Sequence, residues 1–279
     1  MNKPFHSILF LSTGRTGTKF LASILRDTVR AASVFHEAGE RSRLINILSH
    51  ASIANVIPDK LVQDAWKLAI EKQLKETQEN KRYYIDANNH IYFLAVNHPE
   101  LYPGLKVVHI VRDPRTYIRS HLNWSYSRVK SFLANYLTPY WQPTGSITGD
   151  MPRGEWLGLS KLERFAWIWN FKNAYINRLE GSSTPYLWVR FEDLFSSIDP
   201  GTTYQKILDF IGINYKEPVA EYFQRPINAS KKTHIPEWTS WSTHQCRMVD
   251  HLCREGMTKY GYGIEPDWIK KVKLEGIGQ

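Results

Sequence analysis

The chain has 279 residues and carries 36 Lys and Arg against 27 Asp and Glu, a formal net charge of +9 with His neutral. With 42% hydrophobic and 23% charged residues it lies in the ordinary globular range, which excludes a wholly disordered chain, a collagen-like repeat and a coiled-coil rod. The positive surplus asks for an anionic partner, but charge alone does not separate a polynucleotide from an acidic membrane or a phosphorylated small molecule.

In chain order, Ser7 to Ser12 predicts a short buried strand, and Gly17 to Arg30 a helix with Phe20, Leu21, Ile24, Leu25 and Val29 on one face. A strand is expected to end near Glu37 in Phe35-His36-Glu37-Ala38. Asp59 to Asn80 predicts a long charged helix whose thin apolar stripe, including Leu61, Val62, Trp66 and Leu74, can dock on one side only. Further strands are predicted over Arg82 to Asp86, Lys106 to Val111 and Pro185 to Arg190. The run Val107 to Val111 is β-branched except at His109 and stops at Asp113-Pro114. Helical patterns over His90 to Asn97, Arg115 to Leu122 and Lys161 to Leu179 separate these strands. The alternation predicts an α/β fold, with a central, mostly parallel sheet and helices on both faces. Ligands bind beyond the carboxyl ends of such strands, so the residues after Ser12, Asp86, Val111 and Arg190 matter most.

Between His121 and Gly158 the periodicity weakens, and Trp124, Tyr126, Phe132, Tyr136, Tyr140 and Trp141 mix with three prolines and three glycines. This predicts one domain over 1–279, with 121–160 as an inserted lid or acceptor segment. Cys246 and Cys253 lie seven residues apart in a helical stretch, a rise of about 10 Å that is beyond disulfide reach, so reduced thiols are expected. His244-x-Cys246 and His251-x-Cys253 do not share a helical face, so no metal site is expected. The apolar run Ile8 to Leu11 is too brief for a signal-peptide core, and no segment approaches the length of a spanning helix, so a cytoplasmic protein is expected.

Thr13-Gly14-Arg15-Thr16-Gly17-Thr18-Lys19 lies between the first strand and the first helix, where backbone N–H groups and a helix N-terminus converge. Two glycines let the backbone approach a ligand, and three hydroxyls and two cations line it, which is the composition of a phosphate cradle. It is not a Walker A loop: Thr13 and Thr18 stand where that pattern needs glycine, and Phe20 stands where it needs the magnesium-binding Ser or Thr. Further on, Arg112 ends a strand and Ser120 follows eight residues later, so a guanidinium fork and a helical hydroxyl can meet one phosphate.

These motifs resemble the sulfotransferases that use 3′-phosphoadenosine 5′-phosphosulfate (PAPS) and release 3′,5′-adenosine bisphosphate (PAP). The loop matches their first motif, [ST]-x-[RK]-[ST]-G-[TS]-[TSK], and Arg112 to Ser120 matches R-[ND]-P-x-x-x-x-x-S. Trp188 to Leu194 looks like their late strand ending in [YF]-E-D-L, and Asn228 to Lys232, before Trp238 and Trp241, resembles their basic C-terminal segment. The resemblance implies a three-layer, P-loop NTPase-like fold. It implies that Arg15, Thr16, Gly17, Thr18 and Lys19 hold the 5′-phosphosulfate, with Arg15 also at the bridging oxygen, that Arg112 and Ser120 hold the 3′-phosphate, and that Lys231 and Lys232 close over it.

Sulfuryl transfer to an alcohol or amine also needs a general base. The membrane-type, tyrosylprotein and bacterial branches place a glutamate roughly twenty residues beyond the loop, and Glu37 lies 22 residues after Arg15. Cytosolic members use a histidine slightly more than twenty residues before the 3′-phosphate arginine, and His90 lies 22 residues before Arg112. Asn88 and Asn89 before His90, and Ile91 and Tyr92 after it, depart from the cytosolic K-T-H-x-P context. This departure favours Glu37 as the base and leaves His90 and Asp86 as acceptor contacts. The resemblance implies a small-molecule or glycan acceptor, no metal, and neither nucleic acid nor membrane as partner. The rivals are a P-loop kinase using ATP and a basic nucleic-acid-binding protein. Against the first stand Phe20 and the Arg112/Ser120 pair; against the second, the lack of a clustered basic patch with interleaved aromatics.

Overall fold

The computed structural model describes residues 4–38, 42–130, 133, 137–195, 197–215, 220–223 and 234–273. Two compact units are formed, one from Met1–Val111 and Tyr175–Ala229, the other from Arg112–Ala174 and Ser230–Gln279.

The first unit is built on a five-stranded sheet in the order β2-β3-β1-β4-β5, with β1 (His6–Ser12), β2 (Ala32–His36), β3 (Tyr83–Ala87), β4 (Lys106–Val111) and β5 (Tyr186–Arg190). Every pairing in it is parallel. Both faces are buried, and the alternation along β1 shows how. Ile8 and Phe10 pack with Leu21, Ile24 and Leu25 of α1 (Thr18–Thr28) and with Ile207 and Leu208 of the helix Pro200–Ile211. Leu9 and Leu11 face the other way, toward Ile45 of α2 (Ser42–Ile53), Val62 and Trp66 of α3 (Asp59–Trp66), Leu74 of α4 (Lys72–Asn80) and Phe93 of α5 (Tyr92–Asn97). The result is helix, sheet, helix, the three-layer α/β architecture expected from the alternation of strands and helices. The long helix predicted over Asp59 to Asn80 is continuous but carries a π turn at Lys67–Glu71 between α3 and α4. That extra residue per turn leaves Val62, Trp66, Ile70 and Leu74 all buried on one stripe.

The second unit starts at Arg112 and is organised by α6 (Pro114–Ser127), whose N-cap Asp113 accepts from Arg115 N–H at 2.8 Å, with proline at the first helical position. α6 runs five residues past Leu122, so the aromatic-rich segment begins helical rather than irregular. Two short helices follow, Gly145–Thr148 and Arg153–Gly158, and Trp156 packs edge to face on Trp167 at 5.2 Å. Phe132 and Tyr136 lie outside the described residues. Cys246 and Cys253, on the helix Thr243–Lys259, are both buried thiols, and Cys253 Sγ lies 3.4 Å from the Ala166 carbonyl. No helix among the described residues is long and apolar enough to cross a membrane.

Arg115 is the hub of this unit. Its side chain is 1% exposed and forks onto Asp113, with Nε 2.9 Å from Oδ1, and onto Glu265, with Nη1 2.9 Å from Oε2 and Nη2 2.6 Å from Oε1. The guanidinium lies 4.9 Å from the Trp238 ring and 5.0 Å from the Trp268 ring. Burial works against this charge, and the two carboxylates more than offset it, raising the Arg115 pKa. Removing one partner of such a network strands buried charge, which typically costs about 3–5 kcal/mol, whereas an exposed pair is worth about 1 kcal/mol or less. Arg115→Met should therefore lower the denaturation midpoint strongly, and breaking the exposed Lys72/Glu76 pair with Lys72→Ala should leave it nearly unchanged, both read by chemical denaturation.

Candidate active site

The loop after β1 is strained in a specific way. Gly14, Arg15 and Gly17 all have left-handed φ, at 90, 58 and 70°. Glycine adopts this freely, but arginine pays roughly 1–2 kcal/mol for it. Ser12 ties the turn together: its Oγ accepts from Gly14 N–H at 3.1 Å and from Thr16 Oγ1 at 2.7 Å. Arg15 and Lys19 are exposed, Thr16 and Thr18 are buried, and Thr13 Oγ1 is buried with no hydrogen-bond partner among the described residues. Helix α1 has Gly17 as its N-cap and no side-chain cap, so its first N–H groups are open to an anion. A buried hydroxyl, uncapped N–H groups and two cations at one turn fit a phosphate or sulfate group.

Gly17 serves packing as well as backbone freedom. A Cβ there would lie 2.8 Å from Cε2 and Cζ of Phe195 and 3.4 Å from Phe191. These rings belong to the helix Phe191–Phe195 that follows β5, and their centroids lie 4.7 Å apart. The late motif beginning at Trp188 therefore acts on the loop through its phenylalanines. Its charged pair closes on itself, with Arg190 Nη2 2.7 Å from Asp193 Oδ1.

The second cluster lies at the carboxyl ends of β2 and β3. His36 pairs with Ala87, which also pairs with Phe10 of β1, so the residues leaving all three strands are neighbours. Glu37 also has left-handed backbone, φ 51°, and its N–H donates to the Ala87 carbonyl at 3.2 Å. Glu37 Oε1 accepts from Asn89 Nδ2 at 2.9 Å and lies 3.5 Å from His90 Nε2. The same Asn89 amide sits 3.7 Å from where a Gly14 Cβ would be, so Asn89 spans from the loop to the carboxylate. His36 Nε2 lies 3.3 Å from Thr18 Oγ1.

Burial alone would raise the Glu37 carboxyl, but the hydrogen bond and charge of His90, with His36 and Arg43, hold it below the ordinary glutamate value. His36 is pushed down by burial, with Lys19, His90 and Arg26 adding to the fall and Glu37 opposing it. The site thus presents an ionised carboxylate near neutral pH. The Glu37 side chain is 29% exposed and that of His90 11%, so the carboxylate is the group better placed to meet a solute.

The two residues read from sequence as rival bases are therefore partners. Asp86 is not an acceptor contact: it is fully buried, with Oδ1 accepting from Ala38 N–H at 3.3 Å and Oδ2 from Asn88 Nδ2 at 3.0 Å. Asn89 and Asn88 join this candidate site through their side chains, although the sequence motifs assign them no role in it.

In the second unit, Arg112 Nε donates to Thr116 Oγ1 at 3.0 Å, Trp169 Nε1 donates to the Arg112 carbonyl at 2.8 Å, and Ser120 is half-buried on α6. The same helix grips a later stretch of chain. Arg119 Nε donates to the Ile235 carbonyl at 3.0 Å, and Asn123 Oδ1 accepts from the N–H groups of His234 and Ile235 at 2.6 and 2.9 Å. Lys231 and Lys232, which precede that stretch, lie outside the described residues. No group of three or more His, Cys, Asp or Glu side chains able to hold a metal ion occurs among the described residues.

An all-parallel sheet with a left-handed, uncapped loop after its central strand has the P-loop NTPase-like α/β fold. The chain belongs to the sulfotransferase domain family, whose sequence pattern matches residues 6–273. No curated protein matches the chain. Among solved structures, mouse sulfotransferase SULT7A1 complexed with PAP is similar in fold, with a TM-score of 0.51 at 15% identity over 99% of this chain and 91% of that one. The sulfotransferase domain from the curacin biosynthetic pathway gives 0.46 at 14% identity, covering 97% of each chain. A sulfotransferase from Alicyclobacillus acidocaldarius gives 0.47 at 11% identity, covering 96% of this chain and 100% of that one.

Because Gly17 is both left-handed and packed against Phe195, Gly17→Ala should distort the loop. The expected result is a lower melting temperature than the wild type's, measured by thermal unfolding.

Proposed function

We propose that the chain is a PAPS-dependent sulfotransferase, moving a sulfuryl group to a hydroxyl or amine of a small-molecule or glycan acceptor by in-line displacement. The observation that carries this reading is the Glu37 carboxylate, held by Asn89 and His90, with Asn89 also lying against Gly14 of the anion loop. Such an arrangement sets a proton acceptor beside the place where a transferring group is bound, which is what general-base catalysis of a displacement requires.

Glu37 is the base in this reading, taking the acceptor's proton as the new S–O or S–N bond forms. His90 is its positioning partner and not a second base, because its Nε2 faces Glu37 and its Nδ1 is buried. Arg15 and Lys19 supply positive charge where the bridging oxygen becomes negative, and Thr16, Gly17 and Thr18 complete the cradle. Arg112 and Ser120 are assigned the 3′-phosphate by their spacing, and Lys231 and Lys232 the closure over it. Phe20 in place of a magnesium-binding hydroxyl favours sulfuryl transfer without a metal over phosphoryl transfer from ATP. The buried thiols Cys246 and Cys253 suit a cytoplasmic setting.

Two measurements test the reading. PAP should raise the melting temperature, by an amount equivalent to about 2.7 kcal/mol at a hundred times its Kd, and ATP with magnesium or an oligonucleotide should give a smaller shift. No shift with PAP contradicts the donor assignment. Glu37→Gln should lower transfer from PAPS roughly 100-fold or more, with PAP stabilisation intact, and His90→Ala should lower it less. Full activity in the Glu37→Gln enzyme contradicts the base assignment.

A further inference from the structure

Asp86 is a carboxylate in a place that disfavours one. It is fully buried on β3, on the face of the sheet that carries Tyr84, and burial pushes its pKa up to about 6, with the hydrogen bonds from Asn88 and Ala38 pulling it back and Glu37 adding to the rise. Burying an ionisable group is costly, and such costs concentrate where function needs them. The geometry shows what the group holds. Glu37 is gripped from both sides by β3: its own N–H donates to the Ala87 carbonyl at 3.2 Å, and the next N–H, that of Ala38, donates to Asp86 Oδ1 at 3.3 Å. A left-handed glutamate is unfavourable unless its neighbours fix it, and these two bonds bracket the residue whose φ is 51°. From the other oxygen a second chain of bonds leads to His90. Asp86 Oδ2 accepts from Asn88 Nδ2 at 3.0 Å, and Asn88 Oδ1 accepts from His90 N–H at 2.9 Å.

We propose that Asp86 is the positioning residue of the proton-accepting site, its two carboxylate oxygens fixing Glu37 through Ala38 and His90 through Asn88. Asp86 touches neither donor nor acceptor; it sets the place and direction of the two side chains that meet each other at 3.5 Å. The proposal rests on the reading of Glu37 as the base. It differs from a general packing role because it depends on Asp86 being an acceptor at both oxygens. An amide at position 86 has one acceptor oxygen. If that oxygen keeps the Ala38 N–H, its amide nitrogen confronts Asn88 Nδ2, and turning Asn88 to relieve the clash presents a donor to the His90 N–H. One of the two links must break. Exchanging the two side chains, Asp86→Asn with Asn88→Asp, restores all three bonds on paper: the new carboxylate at 88 accepts from both the amide at 86 and the His90 N–H.

The test measures PAP released from PAPS, with water as the acceptor, in wild type, Glu37→Gln, Asp86→Asn, Asn88→Asp and the exchanged double variant, beside the melting temperature with and without PAP. Asp86→Asn is expected to lose roughly 10- to 100-fold in kcat, with the KM for PAPS and the shift given by PAP unchanged. The exchanged variant is expected to recover most of that loss, whereas Asn88→Asp alone, which sets a second carboxylate against Asp86, is expected to lose kcat itself. Wild-type kcat in Asp86→Asn beside an inactive Glu37→Gln overturns the positioning role and leaves the base reading standing. Full activity in Glu37→Gln overturns both. The exchanged variant keeps the test decisive if Asp86→Asn folds poorly: a folded double variant, stabilised by PAP, with kcat no better than Glu37→Gln overturns the proposal.

Discussion

The parallel pairing of β3 between β2 and β1 is the constraint on which the candidate site depends. Ala87 is in register with His36 on one side and Phe10 on the other, so β2 and β3 end together and β1 runs two residues further. Their following residues, Glu37, Asn88 to His90 and the Ser12 turn, are brought together by the sheet and not by any local sequence preference. Main-chain bonds carry that alignment past the strand ends, from Glu37 N–H to the Ala87 carbonyl and from Asn88 N–H to the Phe10 carbonyl at 3.0 Å. Both faces of the sheet are packed with apolar side chains, so a one-residue slip of β3 would turn Asp86 to the opposite face and separate Glu37 from Asn89.

Among the described residues, two of the four left-handed non-glycine residues, Arg15 and Glu37, fall at this candidate site. Arg15 and Glu37 are left-handed without being glycine, Gly17 is left-handed with a phenylalanine ring in the space of its missing Cβ, and Asp86 is a buried carboxylate. Each lowers stability locally, and each is held by the packed sheet beneath it. The second unit manages charge differently. Arg115 is enclosed by two carboxylates and two indoles, and α6, which carries Ser120, is tied through Arg119 and Asn123 to Ile235 and His234.

Much of the architecture is legible in the sequence because its elements carry strong local signals. The strand Lys106–Val111 is marked residue for residue by a β-branched run stopped at Asp113-Pro114, and Asp113 and Pro114 then cap and open α6 as those residue types favour. The π turn at Lys67–Glu71 leaves no such mark, since the apolar stripe reads the same through it. α6 extends beyond Leu122, where a contact distant in sequence ties it down: Asn123 Oδ1 accepts from the N–H groups of His234 and Ile235. In the site, loop composition points to Thr13 through Lys19, and distances along the chain point to Glu37 and His90. Their contact with each other is invisible in the sequence because about fifty residues separate them and only strand pairing closes the gap. The two asparagines in Asp86-Ala87-Asn88-Asn89-His90 are the local signal that could have been used, since an Asx-rich strand end redirects backbone N–H groups. Asp86 reads as a site carboxylate by position, and only its burial shows that it faces inward.

Everything proposed for this site turns on Glu37 being an ionised carboxylate held by Asn89 and His90. A carbon-detected NMR titration of the Glu37 carboxyl, assigned against Glu37→Gln, reads this directly. The expected midpoint lies below the 4.5 of an ordinary glutamate, with the group charged throughout the neutral range. A midpoint above that value would contradict it, because burial would then outweigh His90 and the carboxylate would no longer be the paired, charged group described.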